Sequence, residues 1–232
     1  MRLICSAWQE ELKYIEPRDR HGAARLAMTR DAALAMTGDQ PRSCEATPML
    51  AALGIGYLEA ALELTRILEQ HSDIDEIVFL GTCGSYNHDL NIGDVVSVSS
   101  VRLLERGTVL GLAYSVGTPS RYEANGDCFA ALAMTGDAAV DCLCSLEITN
   151  SSELSAQILK HYGFERAVEN MELYGVARVA SERGIKWSAH LGVTNYTDLN
   201  AHRDWQANHQ SLSQQLAISI ANKYSCNNQQ PC

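Results

Sequence analysis

No apolar run in this chain approaches the ~18–20 residues that a membrane-crossing helix needs, so nothing in its 232 residues reads as a span. Positive charge is scarce as well. The 18 Lys and Arg face 28 Asp and Glu, leaving a formal charge of −10 and a pI near 5.1. That balance argues against nucleic acid or an anionic membrane as partner. The start of the chain has only Arg2 before it reaches Glu10 and Glu11. No secretory leader looks like that, so the cytoplasm is the expected compartment. There is no CxxC and the seven histidines are scattered, so no metal site is expected. No Pro/Gly/Ser-rich linker divides the chain either, and one domain over 1–232 is expected, with 224–232 as a flexible tail. Cysteine is not lacking: there are eight. Cys5, Cys83, Cys142 and Cys144 lie in apolar or turn segments without an export signal, which predicts reduced thiols rather than disulfides. Cys142-Leu143-Cys144 would point two thiols to one strand face.

Hydrophobic residues make up 46% of the chain, enough for a sizeable core. Strand-like runs fall at Arg2–Ser6, Met49–Leu53, Glu76–Leu80, Asp94–Leu103, Ala139–Ile148 and Lys186–Thr194. Helical patterns lie between them. Leu58, Ala61, Leu62, Leu64, Thr65 and Leu68 recur at helical spacing over Gly56–Gln70, and this helix is expected to pack through Leu58, Leu62 and Leu68. Ser151 or Ser152 caps a second helix reaching His161, with Glu153 favourable in its first turn. Met171–Arg183, stopped by Gly184, and Trp205–Lys223 are the others. Alternating strands and helices predict a three-layer α/β fold with a central, mixed, mainly parallel twisted sheet flanked by helices. Segments 38–48 and 117–127 read as loops bordering a pocket.

Two short segments carry the chemistry. Gly81-Thr82-Cys83-Gly84-Ser85 follows the apolar run Ile77–Leu80 and reads as a strand ending in a glycine turn with backbone N–H groups open to a polar ligand. Asn170-Met171-Glu172 opens a helical stretch and puts a carboxylate at its N-terminus. Strand ends and helix starts are where α/β sheets build small-molecule sites. Taken alone, Glu172 is also what the helix dipole favours in a first turn, and Glu10 and Glu11 are also ordinary solvated residues opening a helix.

With Ala7–Leu12, Gly54-Ile55-Gly56, Ile92–Val96 and Met171-Glu172 in order along the chain, the sequence resembles the purine nucleoside phosphorylase/nucleosidase superfamily. Within it the closest resemblance is to methylthioadenosine/S-adenosylhomocysteine nucleosidases and futalosine hydrolases. The resemblance implies cleavage of an N-ribosidic bond without a cofactor, with a small purine nucleoside as partner and a homodimer whose loops help close each other's sites. Such a bond breaks through a ribosyl cation while negative charge grows on the base, so a site must stabilise both and supply a nucleophile. By position, Glu172 would bond the ribose hydroxyls and stabilise the cation, and Met171 would pack on the sugar. Glu11 would activate the attacking water. Thr82, Cys83, Gly84, Thr149, Asn170 and Tyr196 would complete the substrate site.

Phosphorylases of the hexameric branch place an arginine two residues before the Gly-Thr/Ser motif, where this chain has Phe79. Their glycine- and arginine-containing loop corresponds here to the acidic Ala7–Leu12. A phosphate dianion beside Glu11 without a guanidinium would be repelled, which favours hydrolysis. The leaving-group segment is Val193-Thr194-Asn195-Tyr196-Thr197-Asp198. In one alignment Asn195 takes the place of the nucleosidases' aspartic acid, and its amide suits a 6-oxopurine because it both donates and accepts. In the other, shifted by three, Asp198 is the general acid and an adenine preference returns. Asn195 as a mere turn residue is the structural alternative. Thr149 stands where the nucleosidases stack a phenylalanine on the base, and Asn170 where they have a glutamate. A phosphorylase using Arg42 or Arg102, and a non-catalytic nucleoside-binding domain, are the competing readings.

Overall fold

Apolar runs become inner strands, and their pleat sorts side chains onto two helix-covered faces. The computed structural model describes residues 1–12, 15, 48–117, 121–126 and 139–226, apart from the side chains of Glu10, Glu11 and 221–226. In chain order these form β1 (Arg2–Ser6), α1 (Gln9–Leu12), β2 (Met49–Ala52), α2 (Tyr57–Gln70), β3 (Glu76–Ser85) and β4 (Val95–Leu103). Then come α3 (Arg106–Val109), β5 (Tyr122–Glu123), β6 (Ala139–Cys144), α4 (Ser152–Tyr162), β7 (Ala167–Asn170), α5 (Leu173–Glu182), β8 (Lys186–Tyr196) and α6 (Ala201–Cys226).

The strands form one mixed sheet in the order β2-β1-β3-β7-β6-β4-β5, with β8 bridging β3 and β4. Pairings β1–β2, β1–β3, β3–β8, β4–β6 and β6–β7 are parallel, while β3–β7, β4–β5 and β4–β8 are antiparallel. The pairings β3–β8–β4–β6–β7–β3 return to their starting strand, so the mainly parallel sheet curls into a ring with β1 and β2 as an extension. On β3, Ile77 and Phe79 join the core under α2 and α5, whereas Val78 and Leu80 face Ala217 and Ile220 of α6. The third cluster sets Leu143, Tyr86 and Ala167 against Ile158 of α4.

Helix α2 does not pack through Leu58 and Leu62, which are half exposed; Ala60, Leu64, Ile67 and Leu68 are its buried face. The close approach of α5 decides this rotation. Gly175 lies so near the Tyr57 carbonyl that a Cβ there would sit 2.0 Å from the oxygen. Gly81–Ser85 is likewise no turn. It continues β3 and pairs with β8, because glycine's missing side chain lets neighbours close in: a Cβ on Gly84 would meet Asn195 Nδ2 at 2.8 Å. The short β5 and β7 carry no periodic signal of their own, and β6 stops at Cys144 rather than Ile148. Ser151 caps α4, its hydroxyl accepting from Leu154 N at 3.3 Å, and Gly163 ends that helix at φ 70°. Cys5, Cys83, Cys142 and Cys144 are buried free thiols whose pKa values burial pushes up. The side chains of Cys44, Cys128, Cys226 and Cys232 lie outside the described set, as do Arg42, most of segment 38–48 and residues 227–232. No described helix is long and apolar enough to cross a membrane.

Candidate active site

One edge of β3 changes partner. It pairs with β1 as far as Phe79 and with β7 from Gly84 onward, so Leu80–Cys83 has no strand on that edge. Such a switch point opens a crevice at strand ends. A cavity of about 290 Å³ occupies it, near the lower end of the ~300–1,000 Å³ usual for small-molecule sites. Its wall includes Gly81–Gly84 of β3, Glu169–Glu172 around the end of β7, and Thr194 and Asn195 of β8. Trp8 and Ile55 approach from the loops after β1 and β2, and His202, Trp205 and His209 from α6.

Glu172 sits immediately before α5 and is 6% exposed. Gly56 N–H donates to its Oε1 at 2.9 Å, and Asn170 Nδ2 to its Oε2 at 3.2 Å. Gly56 can aim its N–H this way because its φ of 88° is open to glycine. Burial pushes the Glu172 carboxyl above its ordinary value, and these donors pull against that shift. Asn170 does two further things. Its Oδ1 accepts from Glu172 N at 2.9 Å and Leu173 N at 2.8 Å, capping α5, and its Nδ2 also reaches Thr82 O at 3.1 Å. An amide serves here where a carboxylate could only accept.

Asn195 is buried beside Gly84. Its Nδ2 donates to Tyr196 O at 3.0 Å, and its Oδ1 lies 2.8 Å from the Thr194 hydroxyl. The second Nδ2 hydrogen has no partner among the described residues. Asp198 stands outside the cavity wall and opens α6 instead, its Oδ1 accepting from Asn200 N at 2.7 Å. Tyr196 is also outside the wall, its ring 3.9 Å from that of His88. Thr149 lies behind the wall, buried and bonded to Glu169. Thr82, Cys83, Gly84, Asn170, Met171, Glu172 and Asn195 are therefore brought together, while Tyr196, Asp198 and Thr149 are not. The backbone of Glu11 lies in α1, but its side chain falls outside the described set.

Sequence reasoning missed Glu169 and most of an aromatic group. Trp205 stacks on His209 at 4.3 Å and on His202 at 5.9 Å, and Trp8 meets Trp205 edge-on at 6.1 Å. The spacing of 202, 205 and 209 along one helix was the available signal. Partial burial lowers the His209 pKa, favouring the neutral ring. No Lys or Arg lines the described wall, so it offers two carboxylates, amides and apolar or aromatic surface rather than a guanidinium clamp for a dianion.

The same architecture recurs in solved structures. The 5′-methylthioadenosine/S-adenosylhomocysteine nucleosidase of Helicobacter pylori superposes with a TM-score of 0.72 at 14% identity, covering 97% of both chains. Futalosine hydrolase of the same organism gives 0.71 at 14% identity, covering 98% of this chain and 97% of that one. The nucleosidase of Neisseria meningitidis gives 0.68 at 19% identity over 95% and 96%. No curated protein matches by sequence. The sequence model of the phosphorylase superfamily, however, matches residues 10–223. With the motif order, the mixed sheet and the switch-point cavity in agreement with that match, the chain belongs to the phosphorylase superfamily.

Proposed function

We propose that this protein hydrolyses the N-ribosidic bond of a purine nucleoside of the 6-oxopurine type, releasing the free base and the sugar. The observation that carries the reading is Glu172, a buried carboxylate held by Gly56 N–H and Asn170 in the same cavity as Asn195. As the bond from C1′ to the base breaks, its electron pair leaves with the base and positive charge grows on the sugar. Glu172 stabilises that charge, and its two fixed donors keep it aimed without rearrangement. Asn195 uses its open N–H toward N7 or O6 of the departing base. Water adds to C1′ and gives up its proton, a role assigned to Glu11. The hydrolytic choice is supported by a described wall without Lys or Arg and by Phe79, fully buried at the place of the phosphorylase arginine. The nucleosidase and hydrolase names of the structural neighbours agree with it.

The remaining wall, Trp8, Ile55, Ile148, Met171, Trp205 and His209, supports a substrate with an apolar or planar 5′ extension. Ile55, Leu58, Leu62, Leu146 and Ile148 are each about half exposed, and Leu146 lies against Gly56. Ile55 and Ile148 also line the cavity, and so many half-exposed apolar side chains support the proposed homodimer, which light scattering tests directly.

The activity is tested by incubating inosine, guanosine, futalosine, adenosine and methylthioadenosine with and without phosphate, followed by chromatography. Free base and sugar are expected in both conditions, with 6-oxopurine substrates fastest. Ribose 1-phosphate formed only with phosphate would overturn hydrolysis. A preference for methylthioadenosine would overturn the base assignment.

A further inference from the structure

The connection between β6 and α4 has little core of its own. Leu146, Glu147 and Ile148 are all exposed, so burial does not fix them. Yet Ile148 stands in the cavity wall, and Leu146 lies on Gly56, where a Cβ would come within 2.7 Å of Leu146 Cδ2. Gly56 is the residue whose N–H holds Glu172 Oε1 at 2.9 Å. Gly54 and Gly56 have φ of 87° and 88°, so the backbone on both sides of Ile55 has few steric walls of its own. The aim of that N–H therefore depends on what packs against it.

Arg106 grips this connection from α3. Its Nη2 lies 2.8 Å from the Glu147 carbonyl oxygen, 2.7 Å from the Thr149 hydroxyl and 3.2 Å from Glu169 Oε2, and its Nη1 pairs with the Glu147 carboxylate. A planar guanidinium can hold a main-chain oxygen and a carboxylate together, which a lysine ammonium does with far less geometric definition. The Arg106 side chain is only 14% exposed, so it is itself held in place. Ser145 N donates to Asn170 O at 3.2 Å and Thr149 N to Glu169 Oε1 at 2.9 Å, which ties down the two residues flanking the exposed stretch. Between those ties, Arg106 is the side chain from outside the connection that bonds Glu147 among the described residues.

We infer that Arg106 is a positioning residue for Glu172: by gripping Glu147 and Thr149 it keeps Leu146 seated on Gly56, and so fixes the N–H that Gly56 gives to the carboxylate. Arg106 lies outside the cavity wall and acts through Leu146 and Gly56. Its effect on turnover rests on the nucleosidase reading, whereas its effect on Gly56 does not. A carboxylate that must meet a developing charge loses effectiveness when the groups that aim it loosen, because the reorganisation is then paid during the reaction. The loss falls on kcat rather than KM for the same reason.

The test compares Arg106→Ala, Leu146→Ala and the double variant by amide hydrogen exchange and by inosine cleavage. Leu146 is half exposed and its truncation leaves Arg106 and Glu169 paired, so that variant keeps the fold even if Arg106→Ala does not. The Gly56 amide is expected to exchange about tenfold faster in each single variant, while those of Val78 and Leu143 in the strand interiors keep their rates. In cleavage, kcat is expected to fall about tenfold in each with KM little changed, and the double variant to be no worse than the poorer single one, because both act through one contact. In a Glu172→Gln background, Arg106→Ala should cost nothing further. Unchanged Gly56 exchange, equal acceleration of all amides, or additive losses of kcat would each overturn the inference, the second by making Arg106 a support of the fold alone. Failure of the unaltered protein to cleave any nucleoside would sink the nucleosidase reading, with Gly56 exchange still deciding whether Arg106 holds this contact. Cleavage with Gly56 exchange unmoved by either variant would sink this inference alone.

Discussion

Replacing Glu172 with Gln removes one charge and keeps the side chain's shape. A carboxylate about 4 Å from a developing cation contributes about 4 kcal/mol at an effective dielectric near 20. Loss of that attraction corresponds to roughly 10²–10³ in rate, since part of it is recovered by the amide oxygen and by water. The acceptor role toward Gly56 N–H survives in glutamine, whereas its amide nitrogen faces Asn170 Nδ2 as donor against donor. The fold should therefore hold while turnover collapses. Circular dichroism checks the first, and single-turnover cleavage of inosine the second, with kcat rather than KM carrying the loss. The pH profile gives an independent reading. In the proposed mechanism Glu172 acts ionised, and burial raises its pKa, so activity should fall on the acid side at a pH above the usual carboxylate range, and this limb should vanish in the variant. Stability has the opposite sign. A carboxyl with a raised folded pKa favours the fold below its unfolded pKa and loses that contribution as pH rises through the folded value. The thermal midpoint of Glu172→Gln relative to the unaltered protein should thus be more favourable at pH 7 than at pH 4. Turnover within threefold of normal would refute the electrostatic role outright.

Asn170→Ala removes the cap on Glu172 N and Leu173 N, worth ~0.5–2 kcal/mol, and also a donor to Glu172; thermal melting should show the first, and a shift of the acid limb to still higher pH the second. Gly175→Ala forces a Cβ against the Tyr57 carbonyl, and since neither backbone can yield without parting α2 from α5, a cost of ~1–3 kcal/mol or more should lower the thermal midpoint by about 3–10 °C. Unchanged melting would show that the two helices slide freely. Trp205→Ala opens the stack with His209 and Trp8, and the kcat/KM ratio of methylthioinosine to inosine should fall at least tenfold if that wall holds the 5′ extension.

Much of this protein is legible before folding is considered. The alternation of apolar runs with helical spacing announces the α/β layers, Ser151 marks the start of α4, and Met171-Glu172 marks the place of the proposed catalytic carboxylate. These signals are local, because caps, periodicity and short motifs act within a few residues. Tertiary structure decided the rest, through pairings between distant segments. Gly81–Ser85 looks like a turn until β7 and β8 flank it, because glycine signals both a bend and a close approach. Leu58 and Leu62 share helical spacing with Leu64 and Leu68, and only the contact of Gly175 with Tyr57 settles which stripe turns inward. Asn195 and Asp198 are equivalent candidates along the chain. An extra residue on β8, Thr194, opposite the step from Cys83 to Gly84, brings Asn195 level with Gly84 in the cavity wall, and leaves Asp198 to begin a helix. Glu169 gives no local sign at all. Its environment is assembled from Tyr86, Arg106 and Thr149, up to 83 residues away in sequence, and only the folded chain sets them around one carboxylate.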